Sequence, residues 1–148
     1  MFKLLKSKKG FTLVELMIVV VIMAILVAVA VPIFSAVTKN ARTKTCIGNQ
    51  REIISSVGNW LMLQSDSTIA GSFTTTGGQD APAFGAFTGL DAYQTDIEGL
   101  FKTVPVCPDA GATITATITA GANGGKSTVT TACAGGENSA EHVVPGIN

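Results

Sequence analysis

The 148-residue chain is poor in the residue types from which most catalytic and metal sites are built. It has one histidine, His142, only three cysteines, and charged side chains make up 14% of the sequence. One histidine among scattered acidic residues does not define a metal site, and no Ser/His/Asp or Cys/His set is available for hydrolysis. We therefore expect no enzyme, no metal site and no cofactor.

Basic residues are scarce over most of the chain. The formal net charge is zero, but from Ser65 to the C-terminus there are eight acidic residues and only two basic ones, Lys102 and Lys126. Binding to nucleic acid requires a basic face that can neutralise phosphates. We therefore expect no nucleic acid as a direct, strong partner.

The cysteine count is odd, so at least one cysteine is unpaired within the chain. Cys107 and Cys133 lie in a Gly- and Thr-rich segment with few large apolar residues, where a covalent crosslink stabilises most. We predict a Cys107–Cys133 disulfide, which implies an oxidising, extracytoplasmic compartment. Two buried thiols are the alternative. Cys46 has no histidine near it in the sequence, and we interpret it as a packing residue.

The apolar residues that are present crowd into one run near the N-terminus. No charged residue occurs from Leu16 to Phe34, and about 20 apolar residues suffice for a helix that crosses a bilayer. So small a protein would not bury a helix that is apolar on every face. We predict a single-pass membrane helix over 11–34 that contacts lipid. Lysines and arginines flank the apolar run on both sides, so the positive-inside rule leaves its orientation nearly undecided. The predicted disulfide requires an oxidising compartment and therefore places the C-terminal part outside the cytoplasm.

The helical pattern continues beyond the membrane segment. Ile47, Ile54, Val57 and Leu61 are separated by seven, three and four residues, which places them on one helical face. Ile53 and Trp60 widen this face. We predict one helix from Phe11 to about Gln64, in which 35–64 form an amphipathic half.

The remaining segment, 65–148, carries strand and turn patterns. Ala112 to Thr119 alternates between threonine and apolar residues, a glycine-rich turn follows, and Ser127–Cys133 is a second β-rich run, which together predict a hairpin. We expect a short helix over Asp96–Thr103 and a loop over 65–90. The predicted fold class is α+β, a long N-terminal helical spine with a small C-terminal antiparallel β head.

The junction before the apolar run reads Lys8-Lys9-Gly10-Phe11-Thr12-Leu13-Val14-Glu15-Leu16. A charged side chain at the middle of a bilayer costs about 2.5–3.5 kcal/mol, so a carboxylate at the edge of a membrane helix indicates a function. A cut before Phe11 would create an α-amine four residues from Glu15. On this chain or on a neighbour, that amine would neutralise the carboxylate.

This junction resembles the class III leader of type IV pilins and the related pseudopilins. It shares a short basic leader over 1–10, then Gly10, Phe11 and a glutamate, Glu15, five residues into the mature chain. The resemblance implies that a membrane aspartyl protease, the prepilin peptidase, cleaves after Gly10 and methylates the amine of Phe11. It also implies that Glu15 aids docking of a subunit onto a growing filament.

Pro32 matches the family as well, which has a proline at this place in the membrane helix. In filaments of the family, the helix before this proline can lose helicity. A simple kink at the membrane interface is the alternative.

The resemblance implies a homo-oligomeric helical filament used in adhesion, motility or DNA uptake. The precursor would reside in the cytoplasmic membrane, and an inner-membrane assembly platform would move it into an extracellular pilus. A pseudopilin of a type II secretion system is the alternative, because it shares the junction.

Two different readings of the N-terminus remain. An ordinary secretory signal would be cut after Ala28-Val29-Ala30 and would release a soluble module. The apolar run continues past Ala30, however, and Glu15 would have no purpose in such a signal. An uncleaved signal anchor would instead retain Met1.

Overall fold

The computed structural model describes residues 10–66, 68–76, 81–109, 111–122 and 125–134. The leader lysines and His142 lie outside these residues. The elements, in chain order, are α1 (Leu13–Leu63), β1 (Gly71–Thr76), β2 (Ala83–Thr88), a 3-10 turn (Asp91–Tyr93), α2 (Gln94–Gly99), β3 (Thr113–Thr119) and β4 (Thr128–Ala134). This confirms the α+β class, in which a long N-terminal helix precedes a small antiparallel sheet. The chain divides into two compact units, Met1–Thr38 and Lys39–Asn148.

The N-terminal unit is a helical segment without a core of its own. Every described residue from Gly10 to Val37 is exposed, although most of them are large and apolar. Among the described residues, α1 is the one helix whose length and composition would allow it to cross a membrane. Pro32 lies inside α1, which continues beyond it.

In the C-terminal unit, α1 buries one face. Its buried residues are separated by four, three, four and three positions, the spacing of a helical stripe, and are Cys46, Gln50, Ile53, Val57 and Trp60. Of the predicted face, Ile53, Val57 and Trp60 are buried. Ile47, Ile54 and Leu61 are only half-buried. The buried stripe also contains Cys46 and the polar Gln50, which a pattern of large apolar residues does not include.

The sheet has the strand order β2-β1-β3-β4, and all three pairings are antiparallel. β3 and β4 form the predicted hairpin, in register from Thr113↔Ala134 to Thr119↔Thr128. Along β3 the apolar residues point inward and the threonines do not, as the alternation predicted; Ile114, Ala116 and Ile118 are buried. These side chains pack with the buried apolar residues of α1 in one core.

The predicted loop over 65–90 is wrong, since it contains β1 and β2. β1 buries alternate residues, Phe73 and Thr75, and pairs with β3, which lies far along the chain. The Thr75 hydroxyl donates a hydrogen bond to the Pro105 carbonyl at 2.8 Å, which compensates for its burial. Threonine contributes little to a hydrophobic pattern, so this strand depends on its tertiary partners rather than on local sequence.

The short helix predicted over Asp96–Thr103 is present but displaced toward the N-terminus, at Gln94–Gly99. It begins earlier because a 3-10 turn leads into it, with the Tyr93 N–H donating to the Leu90 carbonyl at 2.9 Å. The Tyr93 ring also packs edge-on against Trp60, with centroids 5.5 Å apart. The helix ends at Gly99, a residue of low helix propensity, well before Pro105.

Phe73→Ala is expected to lower the free energy of unfolding of the C-terminal unit by about 3–5 kcal/mol, because it leaves a cavity in the core. Phe73 is fully buried and stacks on Phe87, with ring centroids 5.5 Å apart. Unfolding of the full chain in detergent, followed through the fluorescence of Trp60, measures the loss. The exposed β3 residue Thr119 provides the control, since Thr119→Ala should stay within about 0.5 kcal/mol of wild type. Equal losses in the two variants would contradict the assignment of the core.

Candidate processing and assembly site

The candidate site begins where α1 begins. The residue before the helix, Thr12, and the third residue inside it, Glu15, form reciprocal hydrogen bonds. The Thr12 backbone N–H donates to Glu15 Oε2 at 2.9 Å, and the Glu15 backbone N–H donates to Thr12 Oγ1 at 3.2 Å. This arrangement is a capping box, which satisfies backbone donors that the first turn of a helix leaves without intrahelical partners.

A third hydrogen bond strengthens the pair, because the Thr12 hydroxyl donates to the same Glu15 Oε2 at 2.9 Å. Glu15 also lies in the first turn, where the helix dipole favours a negative charge. Thr12 is thus a partner of Glu15 that the sequence prediction, which named only a new α-amine, did not include. The pattern Thr-x-x-Glu before an apolar run was the signal that would have found it.

The predicted cleavage position is open on both sides. Gly10 is exposed, and a Cβ added to it would meet no atom within 4 Å. Phe11 is 77% exposed. Nothing in the described part of this chain therefore requires a glycine at position 10.

Pro32 does not lie near the junction. It follows Glu15 by 17 positions within α1, which corresponds to a separation of about 25 Å along a helix. Pro32 and its neighbours are exposed on the apolar surface of the helix. The predicted assembly residues thus occupy two separate places on one helix rather than a single pocket.

The predicted disulfide residues do lie close together, but with a third cysteine. The Sγ atoms of Cys46, Cys107 and Cys133 are all within 4.8 Å of one another, and the structure has them as thiols. Burial raises the pKa of Cys46 and raises the pKa of Cys133 to about 11. Proximity alone does not single out one pair, so the Cys107–Cys133 disulfide stays a prediction.

Comparison with known proteins identifies the N-terminal region. Residues 5–31 match the family model described as the prokaryotic N-terminal methylation motif. The match includes Gly10, Phe11 and Glu15 and ends one residue before Pro32. This region is therefore a class III prepilin leader followed by the start of the apolar helix, which confirms the resemblance.

Together with the apolar helix, the motif supports a type IV pilin-like or pseudopilin precursor and fits a membrane-anchored state. The motif implies processing by prepilin peptidase. No solved structure matches the chain.

The mature protein is expected to begin at Phe11 with a methylated amine. Intact-mass measurement of the protein purified from membranes should show the loss of residues 1–10 and the addition of one methyl group. Loss of residues 1–30 would instead identify a secretory signal, and an N-terminus at Met1 would identify an uncleaved anchor. Either of these masses would overturn the assignment of the cleavage site.

Thr12→Ala should loosen the first turn of α1, because it removes the hydroxyl that accepts the Glu15 N–H. Loss of an N-cap costs about 1 kcal/mol, so amide hydrogen exchange at Glu15 is expected to accelerate about fivefold. Thr45→Ala is the matched control, since its hydroxyl donates to the Ala41 carbonyl within the helix and caps nothing. Unchanged exchange at Glu15 in detergent micelles would show that the capping box does not stabilise the turn.

Proposed function

We propose that the chain is a structural subunit of a type IV pilus-like filament, not an enzyme. It is cut between Gly10 and Phe11 and polymerises through its N-terminal helix. The observation that carries the proposal is the apolar surface of α1 from Leu13 to Val37, which is exposed throughout and interrupted by one carboxylate in a capped first turn.

An apolar surface of this extent must be shielded from water, by lipid or by other protein. Lipid shields this surface in the precursor, because the apolar part of α1 suits a bilayer in length and composition. In a filament, copies of the same helix shield it. Lipid tails are as apolar as leucine side chains, however, so helices that leave the membrane gain little from the hydrophobic effect itself. Close packing and polar pairs must then decide how the helices associate.

Glu15 is the polar group that such a pair would use. Both hydrogen bonds from Thr12 go to Oε2, so within the described residues Oε1 is the carboxylate oxygen available to a neighbour. Cleavage provides the complementary group, the α-amine of Phe11. A buried charge pair needs good geometry and further hydrogen bonds to offset desolvation, and the capping box supplies both for the carboxylate.

The C-terminal unit serves a different purpose in this proposal. It has a core of its own, built from one face of α1 and the sheet, and no residue of that core comes from Leu13–Val37. The filament would expose this unit, with its excess of acidic residues, to the surroundings. Adhesion, motility and DNA uptake are the roles that such a filament would support.

Glu15→Ala should be processed normally but should fail to enter filaments, because the incoming subunit loses its carboxylate. The amounts of mature subunit in membranes and in sheared surface fibres, with electron microscopy of the fibres, measure this. Glu15→Gln separates charge from capping, since its side-chain oxygen still accepts hydrogen bonds from Thr12. We expect it to fail as well. Glu52→Ala, at an exposed position on the same helix, is the control that should assemble.

Fibres of wild-type abundance from Glu15→Ala would refute the assembly role. Fibres from Glu15→Gln alone would show that hydrogen bonding, rather than charge, directs docking. Wild-type cells that make no surface fibres but lose secretion of extracellular proteins when the chain is deleted would identify a secretion pseudopilin instead.

A further inference from the structure

The three cysteines of the C-terminal unit come from three separate elements. Cys46 lies on the buried face of α1, Cys107 lies in the segment between α2 and β3, and Cys133 lies on β4 opposite Ile114. Their sulfur atoms are nevertheless within 4.8 Å of one another. Cys46 and Cys107 are fully buried, and Cys133 is half-buried.

We propose that Cys46, Cys107 and Cys133 together bind one zinc ion that joins these three elements. The proposal does not depend on the proposed filament function. Zinc–sulfur bonds of about 2.3 Å place the sulfurs of a tetrahedral site about 3.8 Å apart, within reach of the observed spacing after a small adjustment. Thiolates select soft ions such as zinc, and the three sulfurs leave one tetrahedral position for a further ligand.

A buried amide aimed at one of the sulfurs supports the proposal. Gln50 is fully buried, and its Nε2 donates to Cys46 Sγ at 3.5 Å. The Thr131 hydroxyl donates to Gln50 Oε1 at 3.1 Å and so holds the amide in this orientation. An N–H donor stabilises a thiolate more than a neutral thiol. The buried Gln50 amide is therefore oriented to stabilise a Cys46 thiolate, which is the form that binds zinc.

The segment that carries Cys107 is held on both sides, so its sulfur is positioned before any ion binds. Asn49 Nδ2 donates to the Val106 carbonyl at 2.6 Å, and the Thr75 hydroxyl donates to the neighbouring Pro105 carbonyl. Asp109 lies 3.9 Å from the Arg42 guanidinium on α1. Such support is what keeps the ligands of a metal site in place.

A Cys107–Cys133 disulfide is the competing use of the same sulfurs. It would consume two of them and would leave Cys46 as a buried packing thiol within 4.8 Å of the pair. Zinc uses all three. Binding converts three thiols and Zn²⁺ into a zinc tris-thiolate of net charge −1 and three released protons. Oxidation and zinc binding exclude one another, so thiol counts and metal content report on them separately.

The full chain, purified from membranes in detergent without chelators or reductant, should contain about one zinc per chain by elemental mass spectrometry. All three cysteines should react with an alkylating reagent only after a chelator is added. The reduced, metal-stripped chain should bind about one Co²⁺, with thiolate charge-transfer and tetrahedral absorption bands that zinc abolishes.

Cys46→Ser should weaken Co²⁺ binding at least about tenfold. Thr45→Ala, at the exposed neighbouring position on α1, should bind as wild type does. A Cys107–Cys133 disulfide without zinc in the purified protein would overturn the proposal. So would reduced wild-type protein that binds no Co²⁺, or Co²⁺ binding that Cys46→Ser leaves unchanged. The wild-type measurements decide the matter even if Cys46→Ser fails to fold.

Discussion

A carboxylate beside a long apolar surface is tolerated only when both its hydrogen-bonding capacity and its charge are met. At the start of α1, the hydrogen-bonding requirement is met locally, since Thr12 donates twice to Glu15. The helix dipole favours the charge, but no cationic side chain among the described residues forms an ion pair with Glu15. In the function proposed above, cleavage before Phe11 supplies the missing positive group, so the same event that ends the leader makes Glu15 suitable for assembly. Processing and polymerisation are then coupled by electrostatics.

The two parts of α1 have different surroundings within the chain. From Leu13 to Val37, α1 is exposed on all sides within its own chain, and beyond Thr43 one face is buried in a core. An α-helix allows this change because its backbone hydrogen bonds are internal and do not depend on what surrounds it. In the proposed filament the apolar half would exchange lipid for other helices, while the second half keeps its buried face in the core of the C-terminal unit.

That core is less apolar than the sequence suggests. Cys46 and Gln50 are the first two residues of the buried stripe of α1, and Thr75 is fully buried on β1. Each has an identified hydrogen-bond partner, which is the condition under which buried polar groups are stable. A small domain with few large apolar residues gains from such directional contacts and from crosslinks, whether by sulfur or by metal.

Local sequence patterns predict some features of this protein and not others. The leader junction, the membrane-compatible helix and the β3–β4 hairpin were predictable because each follows from neighbouring residues, charge or periodicity. The Thr12–Glu15 capping box has an equally local signal, the pattern Thr-x-x-Glu before an apolar run. β1 and β2 were not predictable, since their threonines and scattered phenylalanines become strands only when β3 is there to pair with β1.

The prepilin leader and the apolar helix whose capped first turn holds Glu15 follow from local sequence alone. These features depend on residues within a few positions of one another. The meeting of Cys46, Cys107 and Cys133, and the hydrogen bond from the Gln50 amide to Cys46, depend on the packing of the whole C-terminal unit. The physical reason is distance along the chain: three separate elements must pack before their sulfurs become neighbours, and no spacing in the sequence encodes that packing.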